Sequence, residues 1–218
     1  MLVEGGVPLV VAAPPDRLGA AAQLLRGVLA SVRPDVDAAE LTEPLNTTRA
    51  RRVVRGNRAG GILAAATLEE VFASLGGGAL PLSADELTFL GCVLVLGPTA
   101  APADSGRGST RGRLRVVAAH YVRPLARDAH GHAQRLGPAV LATWDGELGR
   151  YEHFAWGVVP EIAAALQQRA GDLEADLHHR RDDLAGLAKA GVTGLGQVRQ
   201  LIEGYRAGYG AGHGSEGH

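Results

Sequence analysis

The spacing of apolar residues changes near residue 160, and this change limits the folds that the chain can adopt. Before it, apolar runs of strand length at Val7–Ala13, Leu87–Leu96 and Leu114–Val122 alternate with helical segments and turn residues. After Pro160, apolar residues recur three or four positions apart, as on one face of a helix. The pattern predicts an α+β fold: an N-terminal mixed or antiparallel sheet with two helices, then a C-terminal helical hairpin with one long helix.

Leu114–Val122 is the clearest strand. Alternate residues of this run are expected to share one face of the sheet: Leu114, Val116, Ala118, His120 and Val122. A second signal, Asp145-Gly146 between two apolar stretches, predicts a β-hairpin. The Gly-, Pro- and Arg-rich segment Pro98–Arg113 is expected to be a long hairpin loop, either functional or disordered.

Helix starts are marked by capping residues. An apolar stripe over Leu18–Val32 follows Asp16, and Pro34 is expected to end it. Thr67 precedes Glu70 by three residues, and Ser83 precedes Glu86 by three, which is the spacing of a capping box. The second of these helices is expected to be one turn at most, because a buried strand follows it.

The long C-terminal helix is predicted to run from Pro160 to Ala190, with Gly171 as the position for a kink. Arg180 interrupts its apolar seam, and Asp176 is placed to pair with it one turn away. A second amphipathic helix is expected over Leu195–Tyr205. The resulting division is an α+β domain at 1–157, a helical hairpin at 158–207, packed on that domain or used for association, and a flexible tail at 208–218.

Composition excludes several classes of protein. The chain has 22 basic and 23 acidic residues, and its net charge of −1 argues against a protein that coats nucleic acid. Cys92 is the only cysteine, so an internal disulfide and a cysteine-based zinc site are excluded. The N-terminal residues lack the positive charge of a signal peptide, and no apolar run reaches the length of a membrane span. We expect a cytoplasmic protein. Lys189 is the only lysine, and all other Lys/Arg positions are arginine, which indicates a GC-rich bacterial gene.

One group of side chains resembles a metal site. It comprises a strand residue and three residues of the following loop: His120, Asp128, His130 and His132. Neutral imidazoles and a carboxylate suit zinc or a non-haem metal, so a metal-dependent enzyme is one alternative. The spacing matches no established metal motif. The other interpretation is that these residues bind no metal, with the loop residues exposed and His120 in or near the core.

A cluster of arginines between Arg49 and Arg58 offers a second alternative. If Thr47 begins a helix, Arg51, Arg55 and Arg58 share one face and could bind phosphate groups of a nucleotide or a nucleic acid. The acidic residues that precede the cluster could instead neutralise it, in which case the arginines form a solvated basic face.

Aromatic residues carry a third signal. Four of the nine aromatics fall within thirteen residues between the sheet and the long helix: Trp144, Tyr151, Phe154 and Trp156. They either pack the helix onto the sheet or form an exposed patch that binds a partner. Leu173 and Leu177 lie on the helix stripe, which either covers the sheet or forms a coiled-coil seam with another chain.

The sequence favours a non-enzymatic interaction or assembly component. Phosphate-loop and nucleophile-elbow motifs are absent, and the one G-x-G-x-x-G, Gly212–Gly217, has no strand before it. The C-terminal helices and the aromatic residues are expected to contact a protein partner or a second copy of the chain. No cofactor is indicated by the sequence, and nucleic acid is a less favoured partner.

Overall fold

The computed structural model describes residues 7–32, 47–54, 61–77, 81–99, 113–192, 194, 196–197 and 200–204. The strands in these ranges are β1 (Leu9–Ala13), β2 (Gly61–Ala64), β3 (Cys92–Thr99), β4 (Arg113–Tyr121), β5 (Ala126–Arg127), β6 (Ala133–Gln134), β7 (Ala139–Asp145) and β8 (Arg150–His153). The α-helices are α1 (Leu18–Val32), α2 (Thr47–Val54), α3 (Leu68–Gly76), α4 (Ala84–Leu87), α5 (Val159–Ala165) and α6 (Ala170–Lys189). Short 3₁₀ helices, η1 (Pro15–Arg17) and η2 (Ala155–Val158), precede α1 and α5.

Six strands form one mixed sheet in the order β2-β1-β3-β4-β7-β8. β1 is parallel to both β2 and β3, whereas β3 to β4, β4 to β7 and β7 to β8 are antiparallel pairs. β5 and β6 form a separate two-stranded ribbon. The α+β class and the mixed sheet expected from the sequence are therefore confirmed.

The parallel part of the sheet is covered on both faces. All five residues of β1 are buried, and alternate residues enter two different cores. Val10 and Ala12 contact a core that includes residues of α3, while Leu9 and Val11 contact a core that includes α1. An apolar strand without polar residues is the expected sequence for this position.

A third core attaches the C-terminal helices to the antiparallel part of the sheet. Tyr121 of β4 packs with Val159 of α5 and Leu173 of α6. Tyr121 is paired with Cys92, which belongs to the core beneath α1. Paired residues project from the same face, so α5 and α6 lie on the same side of the sheet as α1.

β4 does not alternate as predicted. Its register against β3 shifts opposite Val95–Leu96, where β4 contains an extra residue. Leu114 and Val116 pack on the α1 side of the sheet, whereas Val117 and Ala118 pack on the α3 side. The expectation that alternate residues along the whole strand share one face is wrong, because the bulge reverses the alternation halfway.

Both predicted capping sequences start helices. Thr67 Oγ1 accepts a hydrogen bond from the Glu70 N–H at 3.2 Å at the start of α3. Ser83 and Glu86 form a complete capping box, with N–H to oxygen distances of 3.1 and 2.8 Å. α4 is a single turn, and β3 consequently begins at Cys92 rather than at the start of the apolar run.

The helix predicted from Pro160 to Ala190 is interrupted. α5 ends at Ala165, α6 begins at Ala170, and Gln167 between them has a left-handed φ of 57°. The Leu166 N–H donates to carbonyls of α5, which closes the end of that helix. The break lies before Gly171, the expected kink, which is in the first turn of α6.

Several predicted features lie outside the described residues. These are residues 100–112 of the long loop, the tail at 208–218, and residues 195, 198–199 and 205 of the last predicted helix. The described parts of that helix, residues 196–197 and 200–204, are helical. Among the helices that the structure describes, none combines the length and the apolar character needed to cross a bilayer.

Burial divides the leucines of α6 into two groups, and this division predicts their contributions to stability. Leu173 is 1% exposed and Leu184 is 55% exposed. Leu173→Ala should lower the free energy of unfolding by about 2–5 kcal/mol because it leaves a cavity in the third core. Leu184→Ala should change it by less than about 0.5 kcal/mol. Urea unfolding followed by circular dichroism measures both values, and equal losses would contradict this assignment.

Candidate functional site

The four clustered aromatics, here called the aromatic junction, come from consecutive elements at the end of the sheet. Trp144 is in β7, Tyr151 in β8, Phe154 directly follows β8, and Trp156 is in η2. Tyr151 is 37% exposed, Phe154 50% and Trp156 51%. Aromatic side chains of this size are normally largely buried, so three half-exposed rings in six residues form an unusual surface.

Trp144 and Tyr151 are held in place by contacts to β4. They are opposite one another across β7 and β8, and their rings meet edge to face with centroids 5.0 Å apart. The Arg115 guanidinium carbon lies 3.7 Å from the centre of the Trp144 ring. The Tyr151 hydroxyl donates to the Val116 carbonyl at 2.9 Å, and partial burial raises the pKa of this phenol. Tyr151 is therefore a rigid, neutral side chain at neutral pH.

Trp156 connects the junction to the long helix. Its ring stacks on His178 of α6, with centroids 5.2 Å apart and an angle of 26° between the planes. The contact supports the expectation that an aromatic residue packs the helix onto the rest of the structure. Half of the Trp156 surface still faces solvent, so packing within the chain does not use the whole side chain.

β8 is at one end of the sheet, and no described strand pairs with its outer edge. The Phe154 N–H donates to the Leu141 carbonyl of β7 at 2.9 Å. Hydrogen-bonded and non-bonded pairs alternate along antiparallel strands, so Glu152 also bonds towards β7. The backbone groups of Tyr151 and His153 consequently face outward, where another strand could bind them.

The two helix leucines that were expected to contact a partner belong to the third core. Leu173 is buried, and Leu177 is partly buried and packs against the same residues. Leu173 is not available to a partner in the folded chain, because its neighbours are the sheet and α5. The expected pair between Asp176 and Arg180 is present, with Arg180 Nε 3.1 Å from each carboxylate oxygen.

The structure brings together three of the four residues of the suggested metal site: Asp128, His130 and His132 share one turn, with His132 Nδ1 3.1 Å from Asp128 Oδ2, and only His120 lies elsewhere. Asp128 lies in the turn between β5 and β6, where Oδ1 accepts from the N–H groups of His130 and His132. These bonds, the one from His132 first, lower the pKa of the Asp128 carboxyl. His120 is on β4 and its charged neighbour is Glu69, at the start of α3. Within the described part of the chain, no three His, Cys, Asp or Glu side chains are placed to bind a metal ion.

The arginine cluster begins on α2, as the position of Thr47 predicted. The Arg51 guanidinium donates to the Pro81 carbonyl at 2.8 Å, which ties α2 to the segment before α4. Arg55 and Arg58 lie outside the described residues. The shared basic face expected for these three arginines therefore stays a prediction. Arg51 itself connects α2 to the segment before α4 through its bond to Pro81.

Two residues of the site could not be found from sequence patterns. Arg115 contacts Trp144 across neighbouring strands, and His178 contacts Trp156 from a different helix. Both partners are more than twenty positions away in the chain, so neither pair produces a periodic signal. The clustering of the aromatics themselves was the only visible indication of this surface.

Comparison of the chain with models of protein families gives no match. A comparison with curated proteins likewise gives no match. The geometry of the described residues is therefore the basis for the function proposed below.

Burial of Cys92 predicts an unreactive thiol. Cys92 is 7% exposed, and burial raises the pKa of its thiol to about 11. Because the thiolate is the reactive species, the folded protein should react very slowly with a disulfide reagent such as DTNB at pH 8. Unfolding in urea should expose the thiol and allow one equivalent to react rapidly. Fast labelling of the folded protein would contradict the buried position of this strand.

His120 should make stability depend on pH. Burial lowers the pKa of its imidazole below the ordinary value of 6.5, and the nearby Glu69 carboxylate partly opposes this shift. As pH falls through 6.5, the unfolded chain takes up a proton before the folded chain does, so folding loses stability. His120→Gln should therefore lose less stability than the unmodified protein between about pH 7 and pH 5. Parallel urea titrations at several pH values would reveal the opposite slope if His120 were stabilised as a cation.

Proposed function

We propose that the chain is a non-enzymatic component of a bacterial cytoplasmic protein assembly, which docks on its partner through β8 and the aromatic junction. The proposal rests on three partly exposed aromatic side chains that lie on or directly after β8, a strand whose outer edge pairs with no other strand in the described part of the chain. Tyrosine and tryptophan supply much of the binding energy at protein interfaces. An open strand edge supplies backbone hydrogen bonds to an added strand.

The edge and the rings occupy the same short segment. Tyr151 and His153 present outward backbone groups, while Phe154 and Trp156 follow immediately. A partner strand aligned with β8 would place its own side chains beside these rings. Backbone pairing would give affinity, and the aromatic contacts would select the partner sequence.

Rigidity of the edge favours binding. Tyr151 is held by its hydroxyl bond to Val116 and by the Trp144 ring, which itself lies against Arg115. Trp156 is stacked on His178. Side chains that are already ordered in the free protein lose less conformational freedom when a partner binds.

The surroundings of the edge are polar, as at the rim of many interfaces. Arg150 and Glu152 carry opposite charges on β8 itself, and Glu147 lies in the preceding turn. Charged edge residues also limit indiscriminate pairing of strands, so this edge is suited to a selected partner.

α6 contributes to the proposed interface through its distal half. Nearly every residue from Arg181 to Ala190 is exposed, including Leu184. The first half of α6 is fixed to the sheet by the buried Leu173, and the exposed distal half continues from it. A partner that covers β8 and η2 could extend along α6, because Trp156 and His178 connect the two surfaces.

Removal of the exposed rings tests the proposal. The double variant Phe154→Ala/Trp156→Ala should remain folded but bind its partner at least tenfold more weakly, because interface aromatics commonly contribute about 2 kcal/mol or more. Capture of tagged protein from its native or closely related cells, with quantitative mass spectrometry, identifies the partner. Light scattering of the purified protein tests whether that partner is a second copy.

Phe89→Ala provides a matched control, since Phe89 is 47% exposed but lies at the turn after α4. It should leave partner capture and molecular mass unchanged. His153→Pro removes one outward N–H while the inward bonds of Glu152 and Phe154 stay in place, and it should also weaken the complex. If the double variant captured the same proteins in the same amounts, β8 would not be the docking edge.

A further inference from the structure

We propose that the partner docked at the outer edge of β8 is a second copy of this chain, whose own β8 pairs with the first in antiparallel orientation. In this arrangement the two Tyr151 residues lie opposite one another on a two-fold axis. The inference rests on the function proposed above, because it names the partner of the same edge. Two identical subunits related by such an axis present the same patch to one another, so the patch must be complementary to itself.

The backbone of β8 limits the registers in which two copies can pair. Phe154 bonds to β7, and Glu152 bonds in the same direction, so Tyr151 and His153 carry the outward N–H and carbonyl groups. Registers that bring these outward groups of two antiparallel copies together are centred on Tyr151, on Glu152 or on His153. The side chains of the strand distinguish between the three registers.

The charges on β8 favour the register centred on Tyr151. Arg150 and Glu152 are exposed, project from the same face of the strand, and form no ion pair with the residues that the structure describes. When Tyr151 lies opposite its counterpart, Arg150 lies opposite Glu152 of the second copy, and the symmetry repeats this pair. Opposite charges directly across two strands stabilise their pairing. The other two registers place Glu152 opposite a second Glu152 or opposite Phe154.

Residues at the two ends of β8 match in the same register. Leu148, in the turn before β8, is 60% exposed, and Phe154, directly after β8, is 50% exposed. Each is three positions from Tyr151, so Leu148 of one copy lies towards Phe154 of the other. Gly149, which has open space around its Cα, lies opposite His153 and leaves room for the imidazole. The same pairing would therefore cover apolar surface at both ends of the strand.

The Tyr151 side chain leaves the edge accessible to a second strand. Its hydroxyl reaches the Val116 carbonyl of β4, and β7 lies between β4 and β8, so the ring leans inward over the sheet. A second copy can approach the Tyr151 backbone without displacing the ring from its contact with Trp144. The two six-stranded sheets would then continue as one sheet across the axis.

Reversal of the charges on β8 tests this pairing. By light scattering at micromolar concentration, the unmodified protein should have the mass of two chains. Arg150→Glu and Glu152→Arg should each weaken the dimer at least tenfold with unchanged circular dichroism, because each places like charges opposite one another twice. The double variant Arg150→Glu/Glu152→Arg restores opposite charges and should dimerise as the unmodified protein does. An equimolar mixture of the two single variants should form a heterodimer, since one presents two acidic residues and the other two basic residues.

Arg181→Glu is the matched control, because Arg181 is an exposed arginine on α6, away from β8. It should leave the dimer unchanged. Single variants that dimerise like the unmodified protein, or a mixture of them that stays monomeric, would overturn the inference.

A monomeric unmodified protein would overturn it as well, and the capture experiment then separates it from the proposed function. A captured protein that is lost from Phe154→Ala/Trp156→Ala would leave docking at β8 in place with a different partner. Unchanged capture by that variant would reject both the self-pairing and the docking edge.

Discussion

Burial of β1 on both faces is the constraint on which the arrangement of the other elements depends. The strand pairs along both edges, and its alternate residues enter separate cores beneath α1 and α3. β3 joins it through a bond from the Cys92 N–H to the Pro8 carbonyl at 2.9 Å. Gly91, with a φ of +72°, permits this approach, because a Cβ there would lie 2.7 Å from the Pro8 oxygen.

The antiparallel half of the sheet extends from this centre and determines where the edge proposed for docking lies. β4 pairs with β3, and its bulge directs residues on either side of Val117 to opposite faces. β7 and β8 add to β4 in turn, so the edge strand is three strands away from β3. No strand in the described ranges pairs with the outer edge of β8, and the contacts of Arg115 with Trp144 and of His178 with Trp156 order the aromatic residues beside it.

Local interactions were the part of the fold that the sequence could predict. Thr67 and Ser83 cap helices because each hydrogen-bonds a residue three positions away, and the hairpin after Asp145 depends on a single turn. The bulge at Val117 and the left-handed φ of Gln167 depend on tertiary packing. Valine has no preference for a bulge and glutamine none for a positive φ, so neither feature was visible in the sequence. In the candidate site, the clustering of the aromatic residues was visible in the sequence. The spacing of the leucines could not show whether Leu173 is buried in the chain's own core or lies in a coiled-coil seam with another chain.

A cavity lined by Phe72, Leu87 and Leu136 shows the same limit, since its walls come from separate segments of the chain that meet only after folding. The interruption at Gln167 also has a consequence for experiments on the whole molecule. It separates α6 from α5, so that α6 is a helix packed on the sheet through Leu173 in its first half and exposed to solvent beyond Arg181. A spectroscopic label or a fused domain on this distal half would move as a rigid unit with the sheet. Distances measured from it would therefore report the orientation of the whole molecule within an assembly.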